Sequence, residues 1–294
     1  MEELPKILYK YRVWIDEKDD NLFSFSENEN KIIFKKKEFF DKKRCLTEKE
    51  IYFSSPKNFN DPFDCSIPIK IDYENKIGMI LNYILIDNRS TVSLEEKIKE
   101  GMDNYEKEFP EITKDEHVKE NEKKQKNKWD NQFGIFSLSK NKSNILMWSH
   151  YSYNHKGFCI GYDSDSLNGK FKEAYPIFIE EVSYTKNFPF LDSTRTKTEK
   201  LIIEVLTTKS IDWIYEEEFR AILIGGNRAN LNEQERCFKL PISAFKEIIF
   251  GCEMSEPHKE EIKEVLRKGK FEVDLYQAKM KKRSFGLDFK QIDY

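Results

Sequence analysis

The sequence predicts an α+β fold with a central β-sheet, flanking helices and a helical insertion. Three observations carry that prediction. Short runs near both ends alternate apolar and polar residues at period two, as in Glu50-Ile51-Tyr52-Phe53-Ser54. Between about residues 73 and 129 the spacing becomes helical, with Leu81, Ile84 and Leu85, then Leu94, Ile98 and Met102. Strands and helices otherwise follow one another irregularly, without the regular alternation of βαβ units and without an internal repeat. The 294 residues are expected to form one domain, 1–294, interrupted by the helical segment.

In chain order, residues 7–15 read as a first strand carrying Lys10 and Arg12 on one face. Residues 16–30 read as a loop or short helix, and 37–41 as a further short helix. Residues 50–54 form a strand, followed by Pro56-Lys57-Asn58-Phe59-Asn60-Asp61-Pro62-Phe63-Asp64, a stretch dense with turn formers. Ser93 with Glu96 has the spacing of a capping box. Residues 114–128 are so charged that they read as an exposed helix, a partner-binding helix or a mobile segment. Strands are expected at 134–139, 158–162, 180–184, 237–240, 247–250 and 272–277. Helices are expected at 144–151, 199–206 and 256–268, with a helical turn at 241–245.

Bulk composition excludes several classes. A net charge of −3 supplies no global field toward nucleic acid or anionic lipid. The basic runs at residues 31–37 and 279–283 read as solvated faces. Five cysteines lie far apart with no close pair, which argues against zinc and disulfide frameworks and for a reducing compartment. The N-terminus is acidic where a signal peptide would be basic, and no apolar run nears the roughly 20 residues of a membrane helix. The expected location is therefore the cytoplasm, with no membrane partner.

The most informative segment is Trp213-Ile214-Tyr215-Glu216-Glu217-Glu218-Phe219-Arg220-Ala221-Ile222-Leu223-Ile224. Read as a strand, it places Glu216, Glu218 and Arg220 on one face and Trp213, Tyr215, Glu217 and Phe219 on the other. Charges at the mouth of a buried strand are costly unless paired or used.

Four blocks together resemble a known family. They are Tyr9-Lys10-Tyr11-Arg12; Phe53-Ser54-Ser55-Pro56 with Phe59 to Asp64; Phe136-Ser137-Leu138-Ser139 with Met147-Trp148-Ser149-His150-Tyr151 through His155-Lys156-Gly157-Phe158; and Trp213-Ile214-Tyr215-Glu216 with Glu218-Phe219-Arg220. This set, over about residues 6–255, resembles the domain-of-unknown-function 2971 family, some of whose members are linked to abortive phage resistance. More distantly, the order of blocks is similar to DNA-modifying ADP-ribosyltransferases. That similarity implies a split β-sheet and NAD as substrate, with nucleic acid or protein as acceptor and a partner protein in a defence system. It implies Glu218 as key carboxylate, Glu216 as its assistant and His150 as proton carrier. Lys10, Tyr11, Arg12, Asn60, Asp61, Ser137, Ser139, Trp148, Tyr151 and Arg220 would hold the cofactor. Arg12 stands where some branches carry a histidine.

The chemistry fits those residue types. A carboxylate beside the ribose stabilises the cation formed as the nicotinamide bond breaks. Arginine forks onto phosphate oxygens, and aromatic rings stack a base. Each residue also has a structural alternative. Glu216 and Glu218 could pair with Arg220 and Lys209, and Lys10 and Arg12 with late-strand acids. Asn60 and Asp61 could cap a turn, and Trp148 and Tyr151 could be core. Three readings therefore stand: an NAD-dependent transferase, a non-catalytic nucleotide-binding or phage-component sensor of antitoxin type, and a phosphodiester nuclease using Asp61, Asp64 and Glu218. The nuclease reading lacks a following E-x-K pattern, and neither a nucleophile elbow nor a phosphate loop is present. A zinc site from His150, His155 and Cys159 has unusual spacing and no fourth ligand.

Overall fold

The structure, a computed structural model, describes residues 4–14, 23–26, 31–34, 43–67, 69–70, 75–86, 89, 91–112, 115–168, 177–188, 191–192, 198–225 and 230–294. The first strands are β1 (Ile7–Arg12), β2 (Phe23–Ser26), β3 (Lys31–Phe34), β4 (Glu50–Tyr52) and β5 (Ile69–Lys70). Three helices follow, α1 (Lys76–Ile86), α2 (Leu94–Ile112) and α3 (Asp115–Gln132). Next come β6 (Phe133–Ser139), α4 (Ile145–Tyr151), β7 (Phe158–Asp163), β8 (Ile177–Glu181), β9 (Ser183–Thr185), β10 (Leu191–Asp192), α5 (Thr198–Thr207) and β11 (Thr208–Ser210). The chain ends with β12 (Glu218–Ile224), β13 (Cys237–Lys239), β14 (Phe245–Phe250), α6 (Glu256–Lys268), β15 (Asp274–Met280) and β16 (Leu287–Gln291).

These elements cluster into two compact units. The first combines Met1–Ser55, Phe133–Val182 and Asp212–Tyr294, and the second Pro56–Gln132 and Ser183–Ile211. In the first unit eight strands form one hydrogen-bonded sheet in the order β16-β15-β14-β7-β1-β6-β12-β8, where the resemblance implies a split one. The α+β class holds. Neighbouring strands are antiparallel except β14 and β15, whose parallel pairing uses α6 as the crossover.

The central strands are apolar on both faces, so both faces are covered. On one side Leu8, Phe136, Leu138, Phe158, Ile160 and Tyr162 join Trp14, Leu46, Phe53, Ile262 and Leu266 in the larger core. On the other, Tyr9, Tyr11, Cys159 and Ile249 meet Met147 and Trp148 of α4. Burial pushes the Cys45 thiol, in the larger core, up to about 11.

The second unit holds α1, α2 and α3, the two-strand pairs β5–β10 and β9–β11, and α5. The capping box expected at its second helix is present: Glu96 N donates to Ser93 Oγ at 3.2 Å, and Ser93 N donates to Glu96 Oε2 at 3.0 Å. A buried ion pair, Lys209 Nζ to Asp64 Oδ2 at 3.4 Å, ties β11 to the Pro56–Asp64 turn. Among the described residues no helix is long and apolar enough to cross a membrane.

Several sequence expectations change. β1 stops at Arg12, three residues early. Residues 23–26, read as loop or helix, are a strand paired antiparallel with 31–34. The expected helix at 37–41 lies outside the described residues. β16 was not assigned at all from the sequence. The largest change lies before β12. Ile211–Glu216 is a 3-10 helix, and Glu217 turns the chain at φ 44 before the strand begins. A left-handed residue breaks the pleat, so the two-residue alternation cannot extend back to Trp213.

Gly157 shows how tightly the chain closes between α4 and β7. A Cβ there would lie 2.1 Å from the carbonyl oxygen of Arg12 and 2.9 Å from that of Ser152. Both are backbone atoms fixed by the sheet and the turn. Gly157→Ala should therefore destabilise the protein by at least about 1–3 kcal/mol, read as a lower urea midpoint at unchanged slope.

Candidate functional site

Register decides which side chains share a face. Tyr9 pairs with Ser139, and Ser139 with Glu218, so these three point to the same side of the sheet. Arg220, opposite Ser137, lies two residues along β12 and shares that side. It is the side covered by α4. Lys10 and Arg12 alternate with Tyr9 and Tyr11, so they point to the opposite side. Lys10 confirms the geometry: its Nζ sits 5.1 Å from the ring centroid of Phe136, in the larger core, and donates to the Ser137 carbonyl at 2.6 Å.

This arrangement corrects the expected site. Arg12 and Lys10 do not share a cavity with Glu218, because an eight-stranded sheet stands between them. Arg12 Nε is instead buried on the larger core's side, without a hydrogen-bond partner.

The carboxylates are engaged. Arg220 is fully buried and forks onto Glu218, with Nε to Oε1 and Nη2 to Oε2 both at 2.9 Å. This is the structural alternative read from the sequence. Glu216 leaves the strand and ends the 3-10 turn, where its Oε1 accepts the Tyr151 hydroxyl at 2.5 Å. Glu216 and Glu218 are both buried.

Ser139 and the motif helix serve the scaffold. Ser139 Oγ donates to the Glu216 carbonyl at 2.6 Å and accepts from Asn141 N at 3.1 Å. Asn141 Nδ2 donates to Glu217 Oε1 at 2.7 Å, which holds the strained residue in place. Asn144 caps α4 through Leu146 N and Met147 N, and its Nδ2 reaches the Tyr215 carbonyl at 2.9 Å. Trp148 is wholly buried, with Nε1 donating to the Lys142 carbonyl and Tyr11 packed edge-on at 5.2 Å. Tyr11 donates its hydroxyl to the Asn141 carbonyl at 2.6 Å.

The helix ends at Tyr151, where the sequence reading also ends it, and His155 lies beyond it. His155 reaches Trp148 through a left-handed turn, and its ring stacks at 6.4 Å. What remains open to solvent is a ring cluster. Exposed His150 lies 6.1 Å from half-buried Tyr215, and Trp213 lies 6.0 Å from Tyr215. His150 is also 6.3 Å from Tyr151, whose hydroxyl holds Glu216.

Sequence reading missed a second cluster on this side of the sheet. Lys142 Nζ stands 5.5 Å from the Tyr9 ring, 5.1 Å from Tyr276 and 5.8 Å from Phe289, and pairs with Glu247 at 2.7 Å. Its partners come from β1, β14, β15 and β16, so no local pattern could reveal them. Burial and the Glu247 charge hold the Tyr9 hydroxyl far above the usual tyrosine range. Glu247 also borders a cavity of about 610 Å³ lined by Lys6, Asp163, Phe271, Asp274 and Tyr294.

Asn60 and Asp61 lie in the second unit. Asp61 Oδ1 accepts from Phe63 N at 2.9 Å, the turn-capping role read as their structural alternative. Among the described residues, no three His, Cys, Asp or Glu side chains stand close enough to hold a metal ion.

The fold and this face define an α+β protein whose motif block builds one end of a central sheet. Residues 147–221 match the model of the family described as Protein of unknown function (DUF2971), which places that segment in the family the sequence blocks resembled. The segment runs from α4 through Arg220 and so contains His150, Tyr151, Glu216 and Glu218. No curated protein and no solved structure matches the chain.

Two measurements test this geometry. Glu218→Ala leaves a buried guanidinium without its carboxylate and should cost about 3–5 kcal/mol in denaturant unfolding. Replacing Glu218 and Arg220 together by leucine should recover most of that loss. The second test concerns pH. Burial lowers the pKa of His155 below its ordinary 6.5, against the opposing charge of Glu253. The unfolded chain then takes up the proton more readily than the folded one. Stability attributable to His155 is present above about pH 6.5 and declines as pH falls toward the folded value. His155→Asn, which tolerates the left-handed backbone, should flatten that decline between about pH 7.5 and 5.5.

Proposed function

We propose that this protein recognises a nucleotide without turning it over, using the ring cluster of His150, Tyr151, Trp213 and Tyr215. The observation that carries this reading is a contrast within one site. The rings reach solvent, while both carboxylates beneath them are engaged, Glu218 by Arg220 and Glu216 by Tyr151. A carboxylate that must meet a ribosyl cation needs charge to spare, and a forked guanidinium takes up that charge. Stacking needs only an accessible π-face and contributes about 1–3 kcal/mol per base. In a phage-defence setting the protein would then act as sensor rather than toxin.

The transferase reading keeps one observation in its favour: Glu216, Glu218, Ser139, Trp148 and Tyr151 do converge on one side of the sheet. It requires Glu218 to part from Arg220 when NAD binds. Two assays separate the readings. Titrating NAD, ADP-ribose and ATP against tryptophan fluorescence should show saturable binding, weakened about 5- to 150-fold by Tyr215→Ala. Free nicotinamide, followed by chromatography, should stay at the level of a protein-free blank. Nicotinamide release abolished by Glu218→Gln, in a variant that keeps the parent's thermal unfolding, would establish NAD cleavage by transfer or hydrolysis instead. Absence of binding up to about millimolar nucleotide would remove both.

A further inference from the structure

The β15–β16 hairpin carries a feature that the ring cluster does not explain. Its two strands are in register from Tyr276↔Gln291 to Met280↔Leu287, and the tip closes with Lys281 N donating to the Gly286 carbonyl at 3.1 Å. Gly286 adopts φ +145, a conformation that L side chains rarely take. Ala278 and Leu287 are buried beneath it, so the core holds the tip in place. On that firm support stands Phe285, 99% exposed, with Met280 68% exposed beside it. Lys279, Lys281, Lys282 and Arg283 are also exposed. Among the described residues, none of these four cations makes an ion pair. From 279 to 291 the chain has five lysines and arginines and a single acid, Asp288, in a protein whose net charge is −3.

An aromatic ring fully in water and four exposed cations outside any ion pair at one fixed tip call for a polyanion with an apolar face. We propose that this hairpin is a contact element for single-stranded nucleic acid, with the cations on phosphates and the Phe285 ring stacked on a base. A bilayer would use the charges, but two apolar side chains offer little to bury in hydrocarbon. Duplex bases are already stacked, and parting a step for a wedge costs a few kcal/mol. The unpaired bases of a single strand are open to a lone ring. This inference is independent of the proposed nucleotide site, whose residues the variants below leave in place.

The test uses the full chain and fluorescein-labelled oligothymidylate and oligouridylate in anisotropy titrations at several salt concentrations. The unmodified protein should bind with a log–log salt slope approaching about −2.8, the value for four phosphate contacts on a single strand. Phe285→Ala should weaken binding about 5- to 150-fold while leaving the slope unchanged. Replacing Lys281, Lys282 and Arg283 together by alanine should flatten the slope to about −0.7. Both variants should keep the parent's thermal unfolding, since the exchanged side chains are exposed. Three results would overturn the proposal. One is no oligonucleotide binding at low salt, or binding indifferent to both sets of changes. Another is tighter binding to a duplex of matched length. The third is binding to vesicles of equal phosphatidylcholine and phosphatidylserine with none to the oligonucleotides, which assigns the tip to a membrane.

Discussion

A forked ion pair inside an apolar sheet governs the first unit. Glu218 and Arg220 occupy one side of β12, while Phe219, Ala221 and Leu223 occupy the other within the larger core. A one-residue slip of β12 would drive both charges into that apolar layer and turn its packing residues away. The pair thus penalises every register but the observed one. With the register set, Ser139 meets the Glu216 carbonyl, and the turn before β12 is latched to the end of β6.

The consequences reach the candidate site through short links. Glu217, held left-handed, swings Glu216 out of the strand and under Tyr151. Asn144 caps α4 and grips the same turn through the Tyr215 carbonyl. The charged residues that draw the eye in the sequence are therefore largely occupied with one another, and the accessible chemistry lies in the rings above them. Lys142, packed against three rings and Glu247, closes the same side of the sheet further along. Each cation–π contact of this kind contributes about 0.5–2 kcal/mol.

Much of this was legible in the chain itself, and the failures have physical causes. The 256–268 helix, the capping box at Ser93 and Glu96, and the apolar strands at 134–139 and 158–162 follow from local periodicity and capping chemistry. The 3-10 helix before β12 was misread as strand because Trp213, Tyr215 and Phe219 suit a pleat by propensity alone, and tertiary contacts overrode it. β16 was missed because Leu287, Asp288, Phe289 and Lys290 make too short an alternation to stand out without its partner.

By itself the sequence determined the fold class, the order of most elements and the neighbourhood in which motif residues gather. Those depend on periodicities that act within a few residues. Only the tertiary structure decided which motif residues face one another. Arg12 and Glu218 were candidates for one cleft until strand pairing put them on opposite sides of a sheet, and Glu218 was a candidate for the carboxylate beside the ribose until Arg220 closed on it. Side-chain facing passes from strand to strand through register, and register is settled by pairings between residues far apart in the chain, such as Tyr9 with Ser139 and Ser139 with Glu218.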